Sequence, residues 1–184
     1  MSDIKSSYNN KIDYSELFAS ICFLSKPKKV IEIGILNGYS LESMAKNVSS
    51  DCQIDAYDIF DKFNGNSANQ KQLCDYFAPY SNVTIQYGDF YQLVEKFEDN
   101  SVDIFHIDIA NNGDVYKFVL NNYIKKLKPN GIILMEGGSD ERDAVEWMDK
   151  YNKPKIKPVL EEFASKFNIK TIGNMPSITL ITKN

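Results

Sequence analysis

Residues 29–41, Lys-Val-Ile-Glu-Ile-Gly-Ile-Leu-Asn-Gly-Tyr-Ser-Leu, decide the fold. Val30 to Ile33 is a short apolar run carrying one acid, Glu32, and it breaks into a loop with glycines at 34 and 38. Beyond the loop, Leu41, Met44, Ala45 and Val48 recur at helical spacing. Strand, glycine loop and helix make the first turn of a doubly wound α/β sheet. Gly34 and Gly38 let the backbone turn sharply and let a ligand approach it closely. Tyr39 and Ser40 fall where the first free N–H groups of the helix would meet a ligand carboxylate. The dinucleotide fingerprint G-x-G-x-x-G has its middle glycine where this chain has Leu36, so a pyrophosphate is the poorer match.

Two glycines four residues apart, preceded by an acid inside the strand, resemble motif I of the class I S-adenosylmethionine-dependent methyltransferases. The run Glu-Ile-Gly-x-x-x-Gly-Tyr-Ser is similar to their small-molecule O-methyltransferase branch, which includes catechol O-methyltransferase. For the loop taken alone, a turn in some other α/β protein is the competing reading. The resemblance implies a Rossmann-like doubly wound α/β fold. Its seven-stranded sheet is mostly parallel with the last strand antiparallel, helices cover both faces, and S-adenosylmethionine is the cofactor.

The 184 residues give room for one domain with a full core. We expect a single methyltransferase domain, with residues 1–27 as a helical extension and 28–184 as the Rossmann-like core. An apolar content of 43% and a charged content of 25% are those of an ordinary soluble globular protein. No run approaches the roughly 18 apolar residues of a membrane span, and the polar N-terminus has no signal-peptide core. Cys22, Cys52 and Cys74 are odd in number and far apart, which reads as reduced thiols in a cytoplasmic protein. A net charge of −4 with a single arginine leaves no basic face and argues against a nucleic-acid substrate. The wealth of Lys, Asn and Ile points to an AT-rich bacterial genome.

Along the chain, Leu17, Phe18, Ile21 and Leu24 space a helix over 13–24 that Asp13 or Ser15 would cap. A second strand fits 53–57 and ends at Asp58-Ile59. An acid at that tip suits a ribose, whose two hydroxyls can both donate to one carboxylate; Asp55 and Asp61 are its rivals. Residues 62–72 read as a flap over the site or a plain solvated connection, followed by a helix holding Leu73, Tyr76 and Phe77. Strand three, 83–87, closes in Gly88-Asp89-Phe90. Strand four, 102–109, is a near-continuous apolar run, as a strand buried on both faces should be. It carries the only histidine, His106, two residues before Asp108 and on the same face. A helix with Tyr116, Val119, Leu120, Tyr123, Ile124 and Leu127 on one side follows. Lys128-Pro129-Asn130-Gly131 then turns into strand five, 132–136. Helix, Lys-Pro-x-Gly and apolar strand form the second stretch that resembles the methyltransferase class. One helix with Ala144, Trp147, Met148 and Tyr151 on a face, another over 159–167, and strands at 169–172 and 177–182 complete the chain.

The resemblance implies a cofactor site of Glu32, Gly34, Asn37, Gly38, Tyr39 and Ser40 around the methionine part. Asp58 and Ile59 would lie at the ribose, and Gly88, Asp89 and Phe90 at the adenine; a helix N-cap is the competing role for Asp89. Asp108 would border the cofactor, and Asp108 and Glu136 would face the transferred methyl and orient or deprotonate the acceptor. His106 is a further candidate base, against a hydrogen-bonded core residue. In metal-dependent relatives the acids at these two places bind Mg²⁺ with an Asp or Asn directly after the second. Here that position is Gly137, so Mg²⁺ rests on two carboxylates, with Asp140 able to help only if the glycine turn folds back. Asn111 stands where many relatives have a histidine, and it cannot take a proton. Arg142, the sole arginine, reads as an exposed helix residue, or else as a clamp for an anionic substrate group. Lys150, Lys153, Lys155 and Lys157 read as a solvated linker or the entrance for an acidic substrate. The partner expected is a small hydroxylated acceptor, a sugar foremost; a homo-oligomer stays open. The alternatives are an N-methyltransferase acting on protein or RNA and a non-catalytic cofactor-binding protein.

Overall fold

In the computed structural model, which describes residues 14–62 and 66–184, seven strands run in the order β3-β2-β1-β4-β5-β7-β6. They are β1 (Lys29–Ile33), β2 (Gln53–Asp58), β3 (Val83–Tyr87), β4 (Val102–Ile107), β5 (Leu127–Glu136), β6 (Phe167–Gly173) and β7 (Ser177–Lys183). Two compact units divide the chain at Leu93/Val94.

In the first unit β1, β2 and β3 pair in parallel register, Val30 opposite Ile54 and Ile54 opposite Val83. The helices here are α1 (Ser15–Ser25), α2 (Tyr39–Ala45), α3 (Gln70–Phe77) and α4 (Phe90–Leu93). In β1, Val30 to Ile33 are all buried, Glu32 included, which explains the unbroken apolar run around one acid. Gly38 precedes α2 with φ +79, and a Cβ there would lie 2.7 Å from the Phe77 ring of α3. Its freedom therefore sets both the turn and the packing of α2 on α3. Helix α1 departs from the expected face: Phe18 and Cys22 are buried while Leu24 is 77% exposed. Ser15 is its first helical residue and does not cap it; Tyr14 occupies the N-cap position without a side-chain capping bond. Asp13 lies outside the described residues, as does Gly65 of the proposed flap.

In the second unit β4 and β5 are parallel, and β7 is antiparallel to both β5 and β6, as expected for a last strand. The helices are α5 (Gly113–Phe118) and α6 (Ile124–Lys126), with a π-helical turn over Val119–Tyr123 between them, then α7 (Asp140–Asp143), α8 (Glu146–Lys150) and α9 (Lys157–Phe163). Phe97, Phe105 and Tyr123 meet edge-on or tilted, Phe105 and Tyr123 with ring centroids 5.3 Å apart, and form the aromatic part of this core. Several boundaries differ from expectation: β4 ends at Ile107 and not at 109, and the stretch expected as one helix over 159–167 becomes α9 up to Phe163 and β6 from Phe167. Strand β5 starts at Leu127, because Lys128-Pro129-Asn130-Gly131 is absorbed as a bulge: Val102 pairs with Leu127 but Ile104 already with Ile132. The helix expected through 144–151 is split at Ala144-Val145 into α7 and α8, with Ala144 and Tyr151 exposed and Met148 fully buried. Among the described residues no helix is long and apolar enough to cross a membrane.

Candidate active site

The acid at the tip of β2 organises the first unit. Asp58 is 5% exposed, and its Oδ2 accepts from the backbone amides of Ile35 (2.8 Å) and Leu36 (3.3 Å). Its Oδ1 accepts from the Phe60 amide at 2.8 Å and from Asn66 Nδ2 at 2.7 Å. Its carbonyl accepts from the Gly88 amide at 3.0 Å, and the neighbouring Tyr57 carbonyl accepts from the Gly34 amide at 2.8 Å. One residue thus ties together the loops that follow β1, β2 and β3. Leu36 and Phe60 adopt left-handed φ values of 47° and 49°, rare for side chains of that size. Both offer their amides to Asp58, which holds them there, and strain of this kind collects where ligands bind.

Below that tie, Glu32 has no exposure and accepts a hydrogen bond from Ser40 Oγ, joining β1 to the first turn of α2. Asp89 starts α4, its Oδ1 accepting from the Tyr91 amide at 2.8 Å, so the N-cap role expected as a rival is made. Phe90 is buried with its ring edge-on to Tyr91 at 4.8 Å. Gly88 has no room for a side chain, since a Cβ would stand 2.8 Å from Leu93 and 2.9 Å from Tyr57. The sequence-predicted residues Glu32 and Ser40, and Asp58 and Gly88, are therefore brought together by hydrogen bonds, and Gly34 is held beside Asp58 by its bond to Tyr57. Asn37 is exposed, and Tyr39 and Ile59 are half-buried.

The second unit holds the acids expected to face an acceptor. Asp108 follows β4 and is half-buried. Glu136 ends β5, and both of its carboxylate oxygens are bound by Arg142: Nε donates to Oε1 and Nη2 to Oε2, the latter at 2.9 Å. Arg142 is 5% exposed, not the surface residue expected, and its guanidinium carbon lies 5.2 Å from the Trp147 ring centroid. Nη2 also donates to the Asn111 carbonyl at 3.2 Å. Asn111, fully buried, donates from Nδ2 to the carbonyls of Ile107 and Glu136, both at 3.0 Å, and so braces the carboxyl ends of β4 and β5. Two buried atoms of this cluster, Arg142 Nη1 and Asn111 Oδ1, have no hydrogen-bond partner among the described residues. Burial pushes the Glu136 carboxyl up to about 7, against the pull of Arg142 and with reinforcement from Asp108 and Asp143. His106 has no exposure and pairs in register with Leu134 of β5.

Sequence reasoning missed part of this cluster. Asp143 is buried and accepts from the amides of Ile156 and Lys157, both at 2.8 Å, which fixes the start of α9. Tyr116 Oη donates to the Glu136 carbonyl at 3.1 Å, and burial pushes its pKa further up. Lys155 donates to the Asp143 carbonyl at 2.7 Å, and Lys157 pairs with Asp140 at 2.6 Å, so half of the basic run braces α7 and its connections. A single arginine six residues past a strand-end acid was the one usable signal.

The Mg²⁺ that the resemblance admits does not fit these residues. Both Glu136 oxygens carry a guanidinium. Gly137 stands at φ +102, and a Cβ there would lie 2.7 Å from Ile156 Cδ1, so the fold bars a third ligand at that position. Asp140 is turned to solvent, its side chain 73% exposed and held by Lys157. Among the described residues no group of three or more His, Cys, Asp or Glu side chains is placed to hold a metal.

Known proteins share this fold. An O-methyltransferase from Bacillus cereus, solved in complex with SAH, superposes with a TM-score of 0.70 at 16% identity, covering 97% of this chain and 84% of that one. The O-methyltransferase TomG from Streptomyces achromogenes, involved in tomaymycin synthesis and solved with SAM, gives 0.72 at 15% identity, covering 100% and 83%. A SAM-dependent O-methyltransferase from Thermotoga maritima gives 0.66 at 15% identity, covering 98% and 68%. At such identities the likeness is one of fold. No curated protein matches the chain. Residues 31–136, more than half of the chain and running from the middle of β1 to the last residue of β5, match the family described as methyltransferase domain, and the chain belongs to that family.

Proposed function

We propose that the protein transfers a methyl group from S-adenosylmethionine to a hydroxyl of a small molecule. The observation that carries this reading is the Asp58 tie: a buried acid at the tip of β2 gathers the loops after β1, β2 and β3. Ligands of open α/β sheets bind at such strand ends. Membership of the methyltransferase-domain family and the SAM and SAH complexes of its structural neighbours support the choice of cofactor.

Bound S-adenosylmethionine supplies a methyl group made electrophilic by its positive sulfur. Glu32, Gly34, Asn37, Gly38, Tyr39 and Ser40 would hold its methionine part, Asp58 and Ile59 the ribose, and Gly88, Asp89 and Phe90 the adenine. The acceptor hydroxyl has to give up its proton as its oxygen gains the methyl. Glu136, with its carboxyl pushed up to about 7, is poised to take that proton near neutral pH. Each of its oxygens keeps a second lone pair beside the one used by Arg142. Asp108 would orient the hydroxyl. The full burial of His106 favours a packing role for it. Cys22, Cys52 and Cys74, none of them in a disulfide, fit the bacterial cytoplasm, where we place the protein, with a homo-oligomer open.

A cofactor-binding protein without turnover is the second reading, favoured by the guanidinium that already occupies Glu136. Calorimetric titration with S-adenosylmethionine and S-adenosylhomocysteine tests the first. Micromolar binding, weakened at least about tenfold (about 1.4 kcal/mol) in Asp58→Ala, supports it. No binding of either ligand by the wild type sinks both readings.

A further inference from the structure

The positive charge of the acid cluster is built into the chain. We propose that Arg142 is the resident cation at the carboxyl end of β5: its guanidinium holds the place at Glu136 that a divalent ion would need, which makes the site independent of metal. The inference rests on the reading of 108–142 as the acceptor side, and it concerns only that side.

Four observations carry it. The guanidinium binds both carboxylate oxygens of Glu136 in the two-pronged geometry in which arginine matches a carboxylate best. It is locked there from other sides, by the Asn111 carbonyl and by the Trp147 ring, and is almost wholly buried. The neighbouring positions are closed to ligation: Gly137 by a left-handed backbone facing Ile156, and Asp140 by its ion pair with Lys157. Asp143, the other buried acid close by, spends its carboxylate on the amides of Ile156 and Lys157. A divalent ion at Glu136 would thus have to expel a permanently charged group from a buried pair and would find few oxygens in return.

The substitution has a chemical consequence. Guanidinium stays charged throughout the working pH range and does not dissociate, whereas a bound ion depends on its concentration and on the protonation of its ligands. Nη1 is buried and has no partner among the described residues, so the same group keeps its two N–H donors there for an oxygen brought by a ligand. Asn111 Oδ1, an unpartnered acceptor on a residue already bonded to Arg142, complements it. A hydroxyl group both donates and accepts, and it is the chemistry these two atoms suit together.

Mn²⁺ is the probe, read by the loss of its free-ion resonance signal, on wild type, Arg142→Ala, Arg142→Gln and each variant combined with Glu136→Gln. The wild type should leave Mn²⁺ free up to about millimolar concentration. Either arginine variant uncovers the carboxylate of Glu136 and should bind Mn²⁺ at least about tenfold more tightly. Adding Glu136→Gln should remove that gain, and guanidinium chloride should compete with the ion where sodium chloride does not. Micromolar binding by the wild type, lost in Glu136→Gln, overturns the proposal, as does a folded arginine variant with no gain. Should both arginine variants unfold, the wild-type titration alone still decides between the resident cation and a metal site. Titration of the same samples with S-adenosylhomocysteine reads the cofactor side separately. Its failure counts against the methyltransferase reading, whereas the Mn²⁺ result counts for or against Arg142.

Discussion

Glu136 shows how a single side chain couples burial to pH. Burial raises its carboxyl from an ordinary 4.5 to about 7, so the folded chain holds a proton that the unfolded chain releases. The sign follows: this contribution to stability is fully present below about pH 4.5 and is lost as pH rises toward 7, with a ceiling of about 3 kcal/mol. That shift is already net of the pull of Arg142, so a loss of up to about 3 kcal/mol over that window is the working expectation. Urea unfolding midpoints of wild type and Glu136→Gln, followed from pH 4.5 to 7.5, measure it. The glutamine variant should show a flatter profile, and an identical slope in both proteins would refute the assignment. The partner of Glu136 was not legible beforehand. Arg142 sits on a short polar helix, Asp-Glu-Arg-Asp, whose composition reads as solvent-facing. Its burial follows from contacts with Asn111 and Trp147, residues 31 positions before it and five after, and no local pattern encodes them.

Elements were legible where one periodicity ruled, and blurred where a tertiary contact broke the local rule. Strands β1, β2 and β3 emerged within a residue of their expected bounds because apolar runs and glycine turns punctuate them. Helix α1 turned about its axis, since Phe18 and Cys22 share a narrower stripe than the four apolar residues suggested. The helix between β4 and β5 carries a π turn over Val119–Tyr123, where the side chains of Asn121 and Asn122 donate to the carbonyls of Lys117 and Phe118. Such back-bonding competes with the regular ladder, and asparagine gives no positional warning of it. The Gly137-Gly138 turn between β5 and α7 is the element most open to test. A Cβ on Gly138 would stand 2.2 Å from Thr179 Oγ1, an atom already bonded to the Gly137 carbonyl and to Thr171. Backbone strain and overpacking add there, so Gly138→Ala should lose roughly 3 kcal/mol or more. Gly173, also left-handed at φ +75 but exposed between β6 and β7, should lose only about 1 kcal/mol to alanine. Chemical unfolding of the pair separates crowding from strain: equal losses would mean that the Thr179 contact yields easily.

At the scale of the whole molecule the question is whether Asp58 is a ligand site or a clamp of the loops around it. The seven strands, the antiparallel β7 and the family all agree with what the resemblance carried by the glycine loop implied. The role of Asp58 was less legible. A carboxylate at the end of β2 suits a ribose, yet its four hydrogen bonds already engage the amides of Ile35, Leu36 and Phe60 and the side chain of Asn66. A ribose hydroxyl would need one of those places, and the Asn66 amide, the one side-chain donor of the four, is the easiest to displace. The two roles separate when stability is measured with and without ligand. S-adenosylhomocysteine at about a hundred times its dissociation constant should add about 2.7 kcal/mol to the wild type, a rise in Tm of about 5–10 °C for a chain of this size. Asp58→Ala should fall by about 2–3 kcal/mol even without ligand, since three amides lose a buried acceptor. If the acid also holds the ribose, the variant should gain little or nothing from the ligand. A variant that is weakened but still gains the full ligand shift would show Asp58 to be a clamp alone, and the ribose contact would have to come from elsewhere in the first unit.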